Sequence, residues 1–297
     1  LFQITERNYM KKYPAKNIFK LLFLVATFSA FSSRAEIVYK PFKLVTYKQI
    51  GDADLMLHIF TPPGHKPTDK TPAIILFFGG GWQTGAPTTL YSQSEYLASR
   101  GMVAICADYR TANRNETSPK ECVKDGKSAI RWLRVHAAEL GIDPEKIAAG
   151  GCSAGGHIAA ATATLDGFNE EGEDTSVSCR PDALILFNPV FDNGPGGYGY
   201  GQVKDYWREF SPMNNLRKGV PPTLVMLGTA DKFIPVATAQ KYKTLMEQVD
   251  GRCDLRLYEG EPHGFFSKSK YRETLLDTDR FLVSLGYLKG EPPPGRP

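Results

Sequence analysis

The sequence predicts an α/β protein, a mostly parallel eight-stranded sheet covered by helices on both faces. Two observations carry this. From Ala73 onward, short apolar runs bounded by turn residues alternate with helical segments, which is how strands buried on both faces read. Ahead of them, alternating residues over Lys43 to Tyr47 and Leu55 to Phe60 flank Gly51-Asp52, the pattern of an antiparallel pair. Composition agrees: 297 residues with 42% hydrophobic and 23% charged side chains fit a globular chain with one sizeable core. Disordered, collagen-like and disulfide-stapled classes are set aside.

Taken in order, the antiparallel pair stops at Thr61-Pro62-Pro63-Gly64. Six core strands follow at Ala73 to Phe78, Val103 to Ala107, Ile147 to Ala149, Ala183 to Phe187, Thr223 to Leu227 and Leu255 to Tyr258. Helices are expected near Ser92 to Ser99, Pro119 to Leu140, Gly155 to Leu165, Ala237 to Gln248 and Glu273 to Leu285. In the second of these, Val123, Ala129, Ile130, Leu133 and Ala137 recur at near-helical spacing and define one buried face. Residues 190–220, rich in Gly and aromatics, break the β/α rhythm between the fourth and fifth core strands and read as a small cap over a site. Residues 36–290 are taken as one domain, and 291–297, with Pro292-Pro293-Pro294, as a disordered tail.

Charge is unevenly placed. Residues 1–35 hold six cations against the single Glu6, a net of +5, which leaves −1 for residues 36–297 out of the total of +4. A nucleic-acid binder carries its basic footprint on the folded domain, so that class is excluded. The same segment reads as an export signal: a start at Met10-Lys11-Lys12, a basic stretch to Lys20, an apolar run from Leu21 to Phe31, and Ser33-Arg34-Ala35 as a cleavage site after Ala35. The apolar run is about 11 residues against roughly 20 needed to span a bilayer, so no stable membrane anchor is expected. A periplasmic or secreted location is. Cys106, Cys122, Cys152, Cys179 and Cys253 are too few for a disulfide scaffold, and their odd number leaves at least one thiol free. No Cys/His spacing suggests a metal, and no cofactor is called for.

Gly151-Cys152-Ser153-Ala154-Gly155 matches G-x-S-x-G between a strand and an Ala-rich helix. A strand-turn-helix junction puts the residue at its tip in a strained conformation, and flanking glycines remove side chains that would clash. The serine hydroxyl then projects at a helix N-terminus, where the dipole favours developing negative charge. Serine needs a base. Of five histidines, His58 lies in a strand, His136 in a helix, His65 in a Pro-rich loop and His157 in the first turn after Ser153. That leaves His263, just after the last strand. Asp231, following the strand Thr223 to Leu227, is the preferred acid to hold its tautomer; Asp250 ends a helix and Glu261 is only two residues from the base. Phe78-Gly79-Gly80-Gly81-Trp82 directly follows the first core strand and exposes backbone N–H groups of the kind an oxyanion requires. A phosphate-binding loop is the rival, but no Lys-Ser/Thr follows.

Together, Gly79-Gly80-Gly81-Trp82, Asp108-Tyr109-Arg110, Gly151 to Gly155, Asp231 and His263 resemble the hormone-sensitive-lipase-like carboxylesterases of the α/β-hydrolase superfamily. The resemblance covers about Lys43 to Leu288, and is nearer to the exported bacterial branch that includes acetyl-xylan and feruloyl esterases. It implies the α/β-hydrolase fold, a Ser153–Asp231–His263 triad, and oxyanion amides from Gly80, Gly81 and Ala154. It also makes Asp108 and Asp125 structural. One departure stands out: the family usually has His before the three glycines, where this chain has Phe78. The backbone amides survive that change, whereas the hydrogen bonds with which the His braces the loop do not.

The expected activity is two-step hydrolysis of short-acyl esters, possible substrates being small esters and acetyl or feruloyl esters of carbohydrates. Trp82, Tyr198, Tyr200 and Trp207 are candidates for an aromatic wall that binds a sugar or aryl group. A non-catalytic binding protein on the same fold and a serine peptidase are the alternatives. Prolyl-oligopeptidase-like peptidases carry a large N-terminal propeller, which the roughly 40 residues between Ala35 and Ala73 cannot build.

Overall fold

A computed structural model describes residues 39–292. The leader expected at 1–35 and residues 293–297 of the expected tail lie outside these; Glu291 and Pro292 have no regular structure. The elements run β1 (Lys43–Ile50), β2 (Ala53–Phe60), β3 (Thr71–Phe77), α1 (Tyr91–Ser99), β4 (Val103–Ala107), α2 (Ala112–Asn115), α3 (Pro119–Val135), β5 (Ile142–Cys152) and α4 (Ala154–Thr164). There follow β6 (Ala183–Phe187), α5 (Tyr200–Val203), α6 (Trp207–Phe210), β7 (Thr223–Gly228), α7 (Val236–Gln248), β8 (Cys253–Tyr258) and α8 (Tyr271–Ser284).

All eight strands form one sheet in the order β1-β2-β4-β3-β5-β6-β7-β8. Only β2 runs against its neighbours, β1 and β4; β4, β3 and β5 to β8 are parallel. Alternate residues of the central strands feed two cores. Ile75, Phe77, Ile105, Ala149, Leu186 and Val225 face the side carrying α3, α4 and α7. Ile74, Leu76, Ala104, Ala148, Ile185 and Leu224 face the side carrying α1 and α8. Burial on both faces is why these strands read as unbroken apolar runs.

The two largest boundary differences from the sequence reading lie at α3 and β5. The helix expected to reach Leu140 ends at Val135, and residues 136–141 form turns. Gly141, at φ +63°, lets Ile142 N–H reach back to Ala137 O at 2.8 Å. A Cβ there would sit 2.3 Å from Lys66 O, so the chain turns where only glycine fits. At its other end α3 opens on a capping box: the Ser118 N–H donates to the Glu121 carboxylate at 3.0 Å, with Pro119 as the first helical residue. β5 is also longer than expected. It starts at Ile142, and its register against β3 shifts between Thr71 and Ala73.

Asp125 on α3 is wholly buried and accepts from Arg110 Nε and Nη2, both at 2.8 Å, from Arg110 N–H, and from Lys48 on β1 at 2.7 Å. Glu170, after α4, accepts from Lys48 and Arg110, both at 2.7 Å. Burial works to raise the Glu170 carboxyl, but hydrogen bonding to Lys48 and the nearby charges of Arg110 and Lys124 outweigh it and hold it at about 2. Asp108 accepts from Tyr109 N–H and Arg114. Both aspartates thus brace the fold away from the cavity described below. Breaking such a buried pair on one side costs about 3–5 kcal/mol, because it strands the other charge.

Residues 190–220 anchor on the core through a few side chains. Val190, Phe191, Val203, Phe210 and Met213 are buried against the α3/α4/α7 side. The segment gives the cavity one lining side chain, Tyr198.

Candidate active site

Parallel strands deliver the loops that follow them to a single edge of a sheet. Here the loops after β3, β5, β6, β7 and β8 converge on a cavity of about 500 Å³ lined by Gly79, Gly80, Gly81, Ser153, Asn188, Tyr198, Phe233 and His263, among others. A larger depression, about 700 Å³ beside Pro62 and His65, contains none of Ser153, His263 and Asp231.

Ser153 joins β5 to α4 at φ +54°, ψ −120°, a left-handed backbone that a serine holds only when its surroundings dictate it. Those surroundings are backbone. A Cβ on Gly151 would lie 2.5 Å from Phe77 O, and one on Gly155 2.1 Å from the same atom, so the end of β3 presses on both flanks of the elbow. Ser153 N–H donates to Phe187 O at 3.0 Å, which ties the elbow to β6.

His263 Nε2 lies 2.9 Å from Ser153 Oγ, and its Nδ1 2.7 Å from Asp231 Oδ2. The Asp231 side chain is fully buried, and its Oδ1 accepts from the N–H groups of Phe233 (2.8 Å) and Ile234 (3.0 Å). Burial favours protonating this carboxyl; the hydrogen bonds from His263 and from those two amides prevail and lower it below its ordinary range. It is therefore ionised at neutral pH and orients Nδ1–H, leaving the Nε2 lone pair toward the serine. Asp250 and Glu261 are placed elsewhere: Asp250 pairs with Lys218, and Glu261 accepts from the Ser269 hydroxyl. Cys152, beside the nucleophile candidate, does not compete with it, since burial pushes its thiol up to about 12. All five cysteines are free and buried.

The Gly79-Gly80-Gly81 loop lies against the elbow: a Cβ on Gly79 would be 3.2 Å from the Ser153 Cβ. Among the described residues no acceptor takes the Gly80 or Gly81 N–H. Ala154, whose N–H is the third donor named from the sequence, opens α4 directly after Ser153. Gly80 has φ +129°, and a Cβ on it would meet Thr84 O at 2.1 Å, in the turn closed by Gln83 and Thr84 N–H donating to Gly80 O. Phe78 supplies a different brace from the histidine it replaces. Its ring stacks on Tyr109 (4.0 Å, 13°), its carbonyl accepts from the Tyr109 hydroxyl at 2.8 Å, and it fills the space a Gly85 side chain would need.

The aromatic wall needs correction. Tyr198 lines the cavity, its hydroxyl 3.0 Å from where a Gly81 Cβ would be. Trp82 does not line it: at 1% exposure it is clamped between His157 and Phe210 and anchors the glycine loop from behind. Tyr200, on α5, and Trp207, packed over Gly194 and beneath Arg208, are also absent from the lining. The ring the sequence reading passed over is Phe233, 56% exposed and edge-on to both His263 (5.1 Å) and Tyr198 (5.9 Å). Its position two residues after Asp231 was the available signal. His157, stacked on Phe210, is pushed down to about 3 by burial and stays neutral.

This architecture has solved counterparts. The structure of Thermogutta terrifontis esterase 2 phosphoramylated by tabun is 42% identical, covers 84% of this chain and 96% of that one, and superposes with a TM-score of 0.81. The chain belongs to the esterases of the α/β-hydrolase fold. The BD-FAE model matches residues 57–187, and the prolyl oligopeptidase family model matches residues 184–286. Esterase LipC of Mycobacterium tuberculosis is 30% identical over 225 residues, 67% of this chain and 54% of that protein. The acetylxylan esterase of Xylanibacter ruminicola is 28% identical over 231 residues, 72% of this chain and 45% of that protein. This α/β-hydrolase spans about half the length of the curated relatives it matches.

Proposed function

We propose that this chain is a serine carboxylesterase acting on short-acyl esters, exported after removal of the leader ending near Ala35. The observation that carries the reading is the run of contacts Ser153 Oγ–His263 Nε2–Asp231, at 2.9 and 2.7 Å. His263 takes the serine proton as Oγ attacks the ester carbonyl. The amides of Gly80, Gly81 and Ala154 hold the oxyanion, and the buried Asp231 carboxylate stabilises the imidazolium. His263 then protonates the leaving alcohol and activates water to release the acid. No other partner is needed for these steps.

Short acyl groups suit a cavity of about 500 Å³ whose glycine loop lies against the serine. They also suit the propionate-bound and butyrate-bound structures of Thermogutta terrifontis esterase 2. The acetylxylan esterase among the relatives supports acetylated carbohydrate as one substrate class, with Tyr198 and Phe233 as the rings available to a sugar.

Hydrolysis of p-nitrophenyl esters from acetate to decanoate tests the reading. Turnover is expected to be greatest at acetate or butyrate and to fall by at least about a thousandfold in Ser153→Ala. Retention of more than about a hundredth of the activity by the variant overturns the assignment of the nucleophile. A fluorophosphonate probe that leaves the folded protein unlabelled points instead to a binding protein.

A further inference from the structure

Asn188 directly follows β6 and has no place in the mechanism above, yet it touches the atom on which the mechanism turns. Its Nδ2 lies 3.1 Å from His263 Nε2, the nitrogen that also faces Ser153 Oγ at 2.9 Å. The residue is fully buried and holds φ +35°, with its N–H donated to Met226 O at 2.7 Å. Its Oδ1 has no hydrogen-bond partner among the described residues, and the one to His263 is the only hydrogen bond its side chain makes there. A buried amide oxygen without a partner asks for an explanation, and a non-glycine residue kept at positive φ beside a reacting atom asks for the same one.

The geometry points to Asn188 as a positioning residue for His263, an inference that rests on the proposed triad. Nε2 has one lone pair, which Ser153 Oγ and Asn188 Nδ2 both face. While the ring is neutral, Asn188 Nδ2–H donates toward it beside the serine and fixes the ring plane. Once Nε2 has taken the serine proton it becomes a donor, and an amide N–H facing it is repulsive. Rotation of the amide about its Cβ–Cγ bond exchanges Nδ2 for the unpartnered Oδ1, which then accepts from Nε2–H. Among the described residues, no other side-chain hydrogen bond opposes that rotation. The charged groups and the ring nearest His263 are Asp231 on Nδ1, the Phe233 ring edge, the exposed Lys268 on the same cavity wall, and Glu261, occupied by Ser269. None of these can alternate between donor and acceptor at Nε2.

The test compares pH profiles of p-nitrophenyl acetate hydrolysis for the wild type, Asn188→Asp and Asn188→Leu. An ionised carboxylate only accepts and favours the charged ring, so Asn188→Asp is expected to move the acid limb of kcat/KM upward by about one pH unit or more. Asn188→Leu, close in size, is expected to lower kcat about tenfold on the plateau, with KM changed less than twofold. An Asn188→Asp variant that melts normally and keeps the wild-type acid limb overturns the inference. Should Asn188→Asp fail to fold, an unchanged kcat in Asn188→Leu overturns it instead. A wild-type protein without esterase activity would overturn the triad reading itself, whereas an active enzyme with insensitive variants overturns only the role of Asn188.

Discussion

At the floor of the cavity, backbone meets backbone: Phe77 O presses on Gly151 and Gly155, Thr84 O on Gly80, and Phe187 O takes the Ser153 N–H. At the rim, Tyr198 and Phe233 meet through ring contacts with each other, with His263 and with Trp82, and Phe233 is more exposed than buried. The floor has almost no tolerance for an added atom, because carbonyl groups of paired strands cannot move independently. The rim is held by ring contacts worth about 0.5–1.5 kcal/mol each, and can be reshaped without disturbing the sheet. On the proposed function, chemistry resides in the rigid part and substrate preference in the adjustable one.

The severest way to break that contrast, short of removing the nucleophile, is Gly80→Ala. The added Cβ collides with Thr84 O and the positive φ becomes strained, so the loop must shift. A fall in kcat of about a hundredfold or more is expected, the order seen when an oxyanion donor is lost, with far-UV circular dichroism unchanged. Phe78→Ala removes the ring stacked on Tyr109 and is expected to cost about 3 kcal/mol of stability together with about tenfold in kcat; urea denaturation and steady-state kinetics measure both.

Glu170→Gln probes a rigid region remote from the cavity. The Glu170 carboxyl is depressed to about 2, so its contribution is fully present above the ordinary carboxylate value of 4.5 and is lost as pH falls toward 2. At pH 7 the variant should melt several degrees below the wild type, and the gap should close on acidification through that window, while kcat at pH 7 stays unchanged. The smallest effects belong to the rim. Tyr198→Ala should raise KM for aryl or sugar esters a few-fold, whereas Trp207→Ala should leave KM alone; equal effects from the two would mean that the rim is not where substrate is bound.

The sheet, its helices and the three members of the candidate triad were legible in the sequence because each depends on local chemistry. A strand buried on both faces must be continuously apolar, as in Ile74 to Phe77, and a sharp strand-to-helix turn needs glycine on both sides of Ser153. A histidine and an aspartate just past strand ends then have few other places to go. The helix end at Val135 was less legible, since Ala137 and Leu140 continue the helical pattern and only the approach of Lys66 O to Gly141 decides the turn.

The tertiary structure alone decided which aromatic rings face the cavity. Trp82, Tyr198, Tyr200 and Trp207 look alike as residues in glycine-rich loops, yet Trp82 is buried against His157 and Phe210, Trp207 covers Gly194, and Tyr198 reaches the cavity. The same holds for Phe78, whose stacking partner Tyr109 is 31 residues away, and for Asn188, which meets His263 across 75 residues. Periodicity and turn chemistry specify what a segment becomes, because those forces act within a few residues. Which side chains share a cavity depends on how β6, β7 and β8 are laid side by side, and that is a property of the assembled sheet.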